Sequence, residues 1–235
     1  MARRGTGSGR AGGPHPRAAG PRPGRGRRSA KGSTGPGRAP YADRMEADLE
    51  DLTRRTRREL TGPADEELHR RLTAIADPDA LATVLTQSHL PLWAREIAAF
   101  RLGCAGDRRS FEPLVLLLNH RDPDRCLSAS HALGRLGDPR TAAAAAALAT
   151  NELRVAYALT PVRLLTTLRA PESAPALITV LGRRLAPGDP HWRVALACVE
   201  GLGALADPRA RQVLEAARAH PRLCAAASAA LSRLR

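Results

Sequence analysis

Aromatic residues are scarce in this chain: Phe, Trp and Tyr make up 3% of 235 residues, against 43% hydrophobic residues overall. A core must then be built from Leu, Ala and Val, which suits close helix packing better than the facing sheets of a β-sandwich. Lysine is nearly absent, with Lys31 standing alone, so arginine supplies the positive charge. Heavy use of Ala, Arg, Gly and Pro fits coding by a GC-rich genome, which discounts arginine number as a functional signal. No apolar run reaches membrane-spanning length. Arg3-Arg4 is not followed by the apolar stretch that an export signal needs. The cysteines Cys104, Cys126, Cys198 and Cys224 form no CxxC pair and read as small buried side chains in a reducing compartment. The cytoplasm is therefore the expected location. The seven His are scattered, with no HExxH and no Cys-His cluster, so neither metal nor cofactor is expected.

What is present is unevenly distributed. The net charge of +14 belongs largely to residues 1–40, which hold ten basic residues and no acidic one. The other 195 residues hold 27 basic and 23 acidic residues. Residues 1–40 also contain eleven Gly and six Pro, too few apolar groups to offset the entropy of ordering, and are expected to be a disordered tail. Three readings of that tail stand side by side. Its Arg-Gly texture (Pro23-Gly24-Arg25-Gly26-Arg27-Arg28) resembles RGG segments that attract nucleic acid or anionic membrane surfaces in a salt-sensitive way. It is equally a solubilising appendage with no partner. Met45, the only other Met, also offers an alternative start.

A six-residue phrase then recurs five times, as Leu72–Asp77, Leu102–Asp107, Leu133–Asp138, Leu165–Ala170 and Leu202–Asp207, at intervals of 30, 31, 32 and 37 residues. A period in this range marks stacked helical pairs. Each phrase ends a first helix, and the Asp that follows in four of them is an N-cap for the second, often with Pro at the first helical position. The spacing predicts caps at Asp77, Asp107, Asp138 and Asp207, and a looser turn at Ala170-Pro171, where the carboxylate is missing. Seven residues past the cap lie Val84, Leu114, Ala145, Leu177 and Leu214, which are expected to be buried. Gly103, Gly134 and Gly203 share one position and are expected to let a neighbouring helix approach closely. The longest interval holds the Arg183–Pro190 insertion, a hinge or contact loop. Residues 41–62 are expected to cap the N-terminal end, and 63–235 to form the repeats.

Ala132–Arg140 (Ala-Leu-Gly-Arg-Leu-Gly-Asp-Pro-Arg) and Leu202–Arg209 (Leu-Gly-Ala-Leu-Ala-Asp-Pro-Arg) resemble HEAT repeats of the phycobilisome-lyase-like type, over about residues 65–235. The resemblance implies an all-α fold: a right-handed superhelical α-α solenoid of about five HEAT-like pairs with terminal capping helices. It also implies that the second helices line a concave, partner-binding face, on or near which Asp79, Thr83, Arg109, Glu112, Glu172, Arg209, Arg211 and Arg218 fall. Its function is less constrained, since similar repeats occur in scaffolds, chromophore lyases and DNA-repair-related proteins.

Two sets of residues compete for a functional reading. Arg108, Arg109, Arg140, Arg209 and Arg211 follow the caps, so a regular stack would line them along one edge, fit for a phosphate backbone or an acidic surface. They serve equally well as local partners of Asp and Glu. Trp93 and Trp192 open two first helices, as base-stacking platforms or as fillers of wide helix gaps. The repeated aspartates suit capping better than a metal row, because stacked helices hold them about 10 Å apart. The expected function is a non-enzymatic scaffold that binds a protein partner. The alternative is a nucleic-acid-associated protein using the tail and the Arg edge, and an enzyme on the same scaffold, a lyase or glycosylase, is the distant option.

Overall fold

The computed structural model describes residues 39–186 and 188–234. The tail expected over 1–40 lies outside them, apart from Ala39 and Pro40, which begin the first helix. Every regular element among the described residues is helical. The helices are α1 (Ala39–Arg57), α2 (Pro63–Ala74), α3 (Pro78–Thr86), α4 (Leu92–Cys104), α5 (Phe111–Leu118) and α6 (Pro123–Leu136). They continue with α7 (Arg140–Thr150), α8 (Leu159–Leu168), α9 (Ser173–Arg183), α10 (Trp192–Leu205), α11 (Arg211–Ala217) and α12 (Cys224–Ser232). None is both long enough and apolar enough to cross a membrane.

The local chemistry that starts these helices is repetitive. Asp77, Asp107, Asp138 and Asp207 each accept a hydrogen bond from the backbone N–H two residues on, at 2.9–3.0 Å. Asp122 does the same ahead of Pro123 and α6, at 2.9 Å. In each case a short side chain meets an N–H that the first helical turn leaves without a partner. The Ala170-Pro171 turn lacks that carboxylate but is closed differently: the Ser173 hydroxyl donates to the Leu165 carbonyl at 2.7 Å, in a buried setting.

The fifth residue of four phrases adopts the left-handed conformation that ends the helix. It is glycine twice, at Gly106 and Gly137, and a residue with a side chain twice, at Arg169 (φ 51°) and Ala206 (φ 54°). Glycine takes this conformation without steric cost, whereas Arg169 and Ala206 carry strain.

Helix packing follows one rule. Helices α2, α4, α6, α8, α10 and α12 contact one another in succession. Each intervening helix lies on the one that follows it: α3 on α4, α5 on α6, α7 on α8, α9 on α10 and α11 on α12. The leucines that open the five phrases, Leu72, Leu102, Leu133, Leu165 and Leu202, lie at this contact with at most 1% exposure. Val84, Leu114, Ala145, Leu177 and Leu214 are buried as well. Burying one such leucine contributes about 1.5–3 kcal/mol, so the periodic positions dominate the core.

Two glycines are places of close approach. A Cβ on Gly103 would lie 2.6 Å from Leu114 Cδ1 and 3.0 Å from Ala132 Cβ, and one on Gly203 would lie 3.0 Å from the Ala230 Cα. Gly134 departs from the expectation. It is exposed, and a Cβ there would meet only Leu164 Cδ1, at 3.8 Å. The phrase position is the same, but no side chain of the next helix packs tightly over it.

Candidate functional site

The arginines that follow the caps are held locally. Arg109, Arg140 and Arg209 each fold back onto the cap aspartate two residues earlier. Nε–Oδ1 distances are 3.0 Å in all three, and Nη2–Oδ2 distances are 2.6, 2.9 and 2.6 Å. The guanidinium hydrogen bond holds the Asp138 carboxyl down to about 2, and keeps Asp107 and Asp207 below the ordinary carboxylate range. The same pairing raises the three arginines. Arg109 also reaches Asp79 at 2.7 Å, so it links the second copy to the first. Arg140 lies 4.0 Å over the Phe111 ring, and Arg211 donates to the Leu234 carbonyl at 3.0 Å. Arg108, Glu112 and Arg218 are exposed. An arginine already engaged by a bidentate carboxylate offers little to a phosphate backbone, so the Arg edge is mostly a set of helix-start clamps.

The two tryptophans have different environments. Trp93 is 3% exposed and sits 5.6 Å from the His69 ring. It presents no face to a ligand, so it leaves the candidate surface and fills the junction of α2 and α4. Trp192 is half-buried and borders an open cleft of about 600 Å³.

A different surface stands out once exposure is known. Apart from Glu112, Arg140 and Arg183 near the helix ends, the exposed positions of α5, α7 and α9 are Leu116, Ala143, Ala147, Pro175, Thr179 and Gly182. None is charged, in a chain with 26% charged residues. Leu116 is 71% exposed, with no packing to account for it. The charged neighbours Glu112, Arg140, Glu172 and Arg183 sit at the helix ends and frame this patch. The sequence carried the signal in the charge-free runs Ala142–Asn151 and Ser173–Gly182. Helical periodicity alone does not say which of those residues face outward.

A second feature was not visible in the spacing. Glu96 of α4 is 1% exposed and accepts from Arg125 of α6 at 2.7 Å, from Ser128 at 2.9 Å and from Arg55 of α1. Arg125 also reaches Glu59 at 2.5 Å. This buried ionic cluster fastens α1 to α4 and α6. Its one sequence signal is a Glu placed inside the apolar stripe Trp93, Ala94, Ile97 and Ala98.

The histidines of the turns have structural tasks. Nδ1 of His120 accepts from the Asp122 N–H at 3.0 Å, and Nδ1 of His220 from the Arg222 N–H at 3.3 Å. Among the described residues no three His, Cys, Asp or Glu side chains converge as a metal would require. No protein-family model matches the chain, and no curated protein matches it.

Proposed function

We propose that the chain is a HEAT-type α-α solenoid of about five pairs that serves as a non-enzymatic scaffold, binding a protein partner through the surface of its second helices. The observation that carries this reading is the uncharged exposed patch on α5, α7 and α9, framed by charged residues at the helix ends. Apolar groups exposed side by side, with polar residues around them, are the usual composition of a protein interface. Alanine, proline and glycine there keep the surface shallow, so a partner can come near the helix backbones and bring its own large apolar side chains.

The nucleic-acid reading loses one of its two supports, because Arg109, Arg140 and Arg209 are engaged by their own caps. It then depends mainly on residues 1–40, with Arg108 and Arg211 the members of the edge not paired with a cap.

The test is affinity purification of the full chain beside an Ala143→Glu/Ala147→Glu variant. Both positions are exposed, and glutamate is a good helix former, so the fold should persist. The expected result is a stoichiometric protein retained by the parent, insensitive to nuclease, and lost with the variant. A parent that retains nothing, or a partner kept equally by the variant, overturns the reading.

A further inference from the structure

The cleft beside Trp192 has a construction of its own. It lies between the segment leading into α10 and the turn joining α11 to α12. Leu185, Ala216 and Ala219 give it apolar lining, and Trp192 and Arg222 line it as well. The guanidinium groups of Arg193 and Arg222 each lie 5.0 Å from the centroid of the Trp192 ring. Among the described residues neither arginine is within ion-pair distance of a carboxylate. The nearby acid, Asp189, is already engaged: it pairs with Arg184 at 3.1 Å and accepts from the His191 N–H at 2.7 Å. The cleft therefore offers one unneutralised guanidinium, that of Arg222, beside an indole and apolar side chains, while Arg193 lies against the same indole outside the lining.

This arrangement discriminates between anions. A nucleobase stacking on Trp192 would compete with the two guanidiniums already beside the ring. A carboxylate needs only the outer edge of a guanidinium, where two N–H groups point the same way, and can bind without disturbing the stack. We infer that this cleft binds a peptide segment in which an acidic residue is followed by an apolar one: the carboxylate pairs with Arg222, Arg193 adds its charge from beside the same indole, and the apolar side chain lies against Leu185, Ala216 and Ala219. The inference is independent of the α5, α7 and α9 surface.

The probe is a short fluorescein-labelled peptide of alternating Glu and Leu, followed by fluorescence anisotropy with the full chain. Arg222→Gln and Arg193→Gln alter exposed side chains, and their thermal unfolding should match the parent. The expected result is saturable binding weakened about tenfold or more by Arg222→Gln, weakened further in the double variant, and reduced as salt rises. The Lys-Leu counterpart should not bind, and oligothymidine should not compete. Absence of binding by the parent at about millimolar peptide, equal binding by Arg222→Gln, or displacement by oligothymidine each overturns the inference. The Ala143→Glu/Ala147→Glu variant should bind the peptide unchanged, which keeps this result separate from the fate of the α5–α7–α9 surface.

Discussion

The Arg125 guanidinium lies 2.7 Å from Glu96 Oε2, with the two side chains 8% and 1% exposed. Around the pair gather Arg55, Glu59 and Ser128, so one buried carboxylate serves two cations from different helices. Taking such charges out of water costs free energy that only complete pairing offsets, and removing one member leaves the others uncompensated. Glu96→Gln is expected to lower stability by about 3–5 kcal/mol in chemical denaturation. Amide exchange should rise first in α1, which this cluster ties down. A loss below about 1 kcal/mol would mean that the charges are reached by water.

The helix starts give a ranking. Asp138→Ala and Asp207→Ala each remove a cap bond and should cost about 1 kcal/mol. Arg209→Ala should cost less than either, because its guanidinium is well exposed and the cap bond survives. Ser173→Ala removes the side-chain bond that closes the turn lacking an aspartate, while the Leu165 carbonyl keeps the Arg169 N–H at 3.2 Å, so the cost should be that of one hydrogen bond, about 0.5–1.5 kcal/mol. Equilibrium denaturation of the four variants checks the order. Arg209→Ala matching Asp207→Ala would show that the ion pair, and not the cap, holds the turn.

The repeats were legible because the same physics acts five times. A leucine buried at each phrase, a carboxylate two residues before an unpaired N–H, and a proline at a first helical position all leave marks in one dimension. The candidate surface was legible only in part. Periodicity placed Arg109, Arg140 and Arg209 along an edge but could not show that each guanidinium turns back onto its own cap, because that depends on side-chain rotamers. Trp93 and Trp192 look alike in sequence, yet Trp93 is enclosed by the α2–α4 junction and Trp192 is left beside a cleft. Glu96, a charge in an apolar stripe, gained its meaning only when Arg55 and Arg125 arrived from residues far along the chain. The fourth turn was expected to be loose because it lacks an aspartate, whereas the Ser173 hydroxyl closes it.

Backbone geometry at equivalent positions leads to substitutions of opposite sign. Gly203→Ala forces a Cβ to 3.0 Å from the Ala230 backbone and should destabilise by about 1–3 kcal/mol. Gly134→Ala meets ordinary van der Waals distance and should stabilise by about 0.5–1 kcal/mol through helix propensity. Ala206→Gly relieves a left-handed residue and should stabilise by about 1 kcal/mol. Thermal unfolding of the three variants decides the matter. Gly134→Ala behaving like Gly203→Ala would mean that α6 and α8 lie closer than the 3.8 Å contact indicates.

Acid should act first through His69. Its side chain is 3% exposed, bonded at 2.9 Å to the Thr56 hydroxyl and packed against Trp93. Burial, with the charge of Arg57 adding to it, depresses its pKa below the ordinary 6.5. The unfolded chain therefore takes up a proton at a higher pH than the folded one. Stability from this residue is fully present above about pH 6.5 and is lost as pH falls through the lowered folded value. The cap aspartates follow the same sign in a separate window: Asp138 contributes above its unfolded value of 3.8 and loses that contribution as pH falls toward about 2. Between about pH 7 and about pH 4.5 the caps stay ionised, so a fall in Tm there reports mainly on His69. His69→Gln, which cannot take up a proton, should lower Tm at neutral pH by removing core packing but flatten the fall over that range. A variant whose Tm declines as steeply as the parent's would move the acid-sensitive step away from the α1–α2–α4 junction.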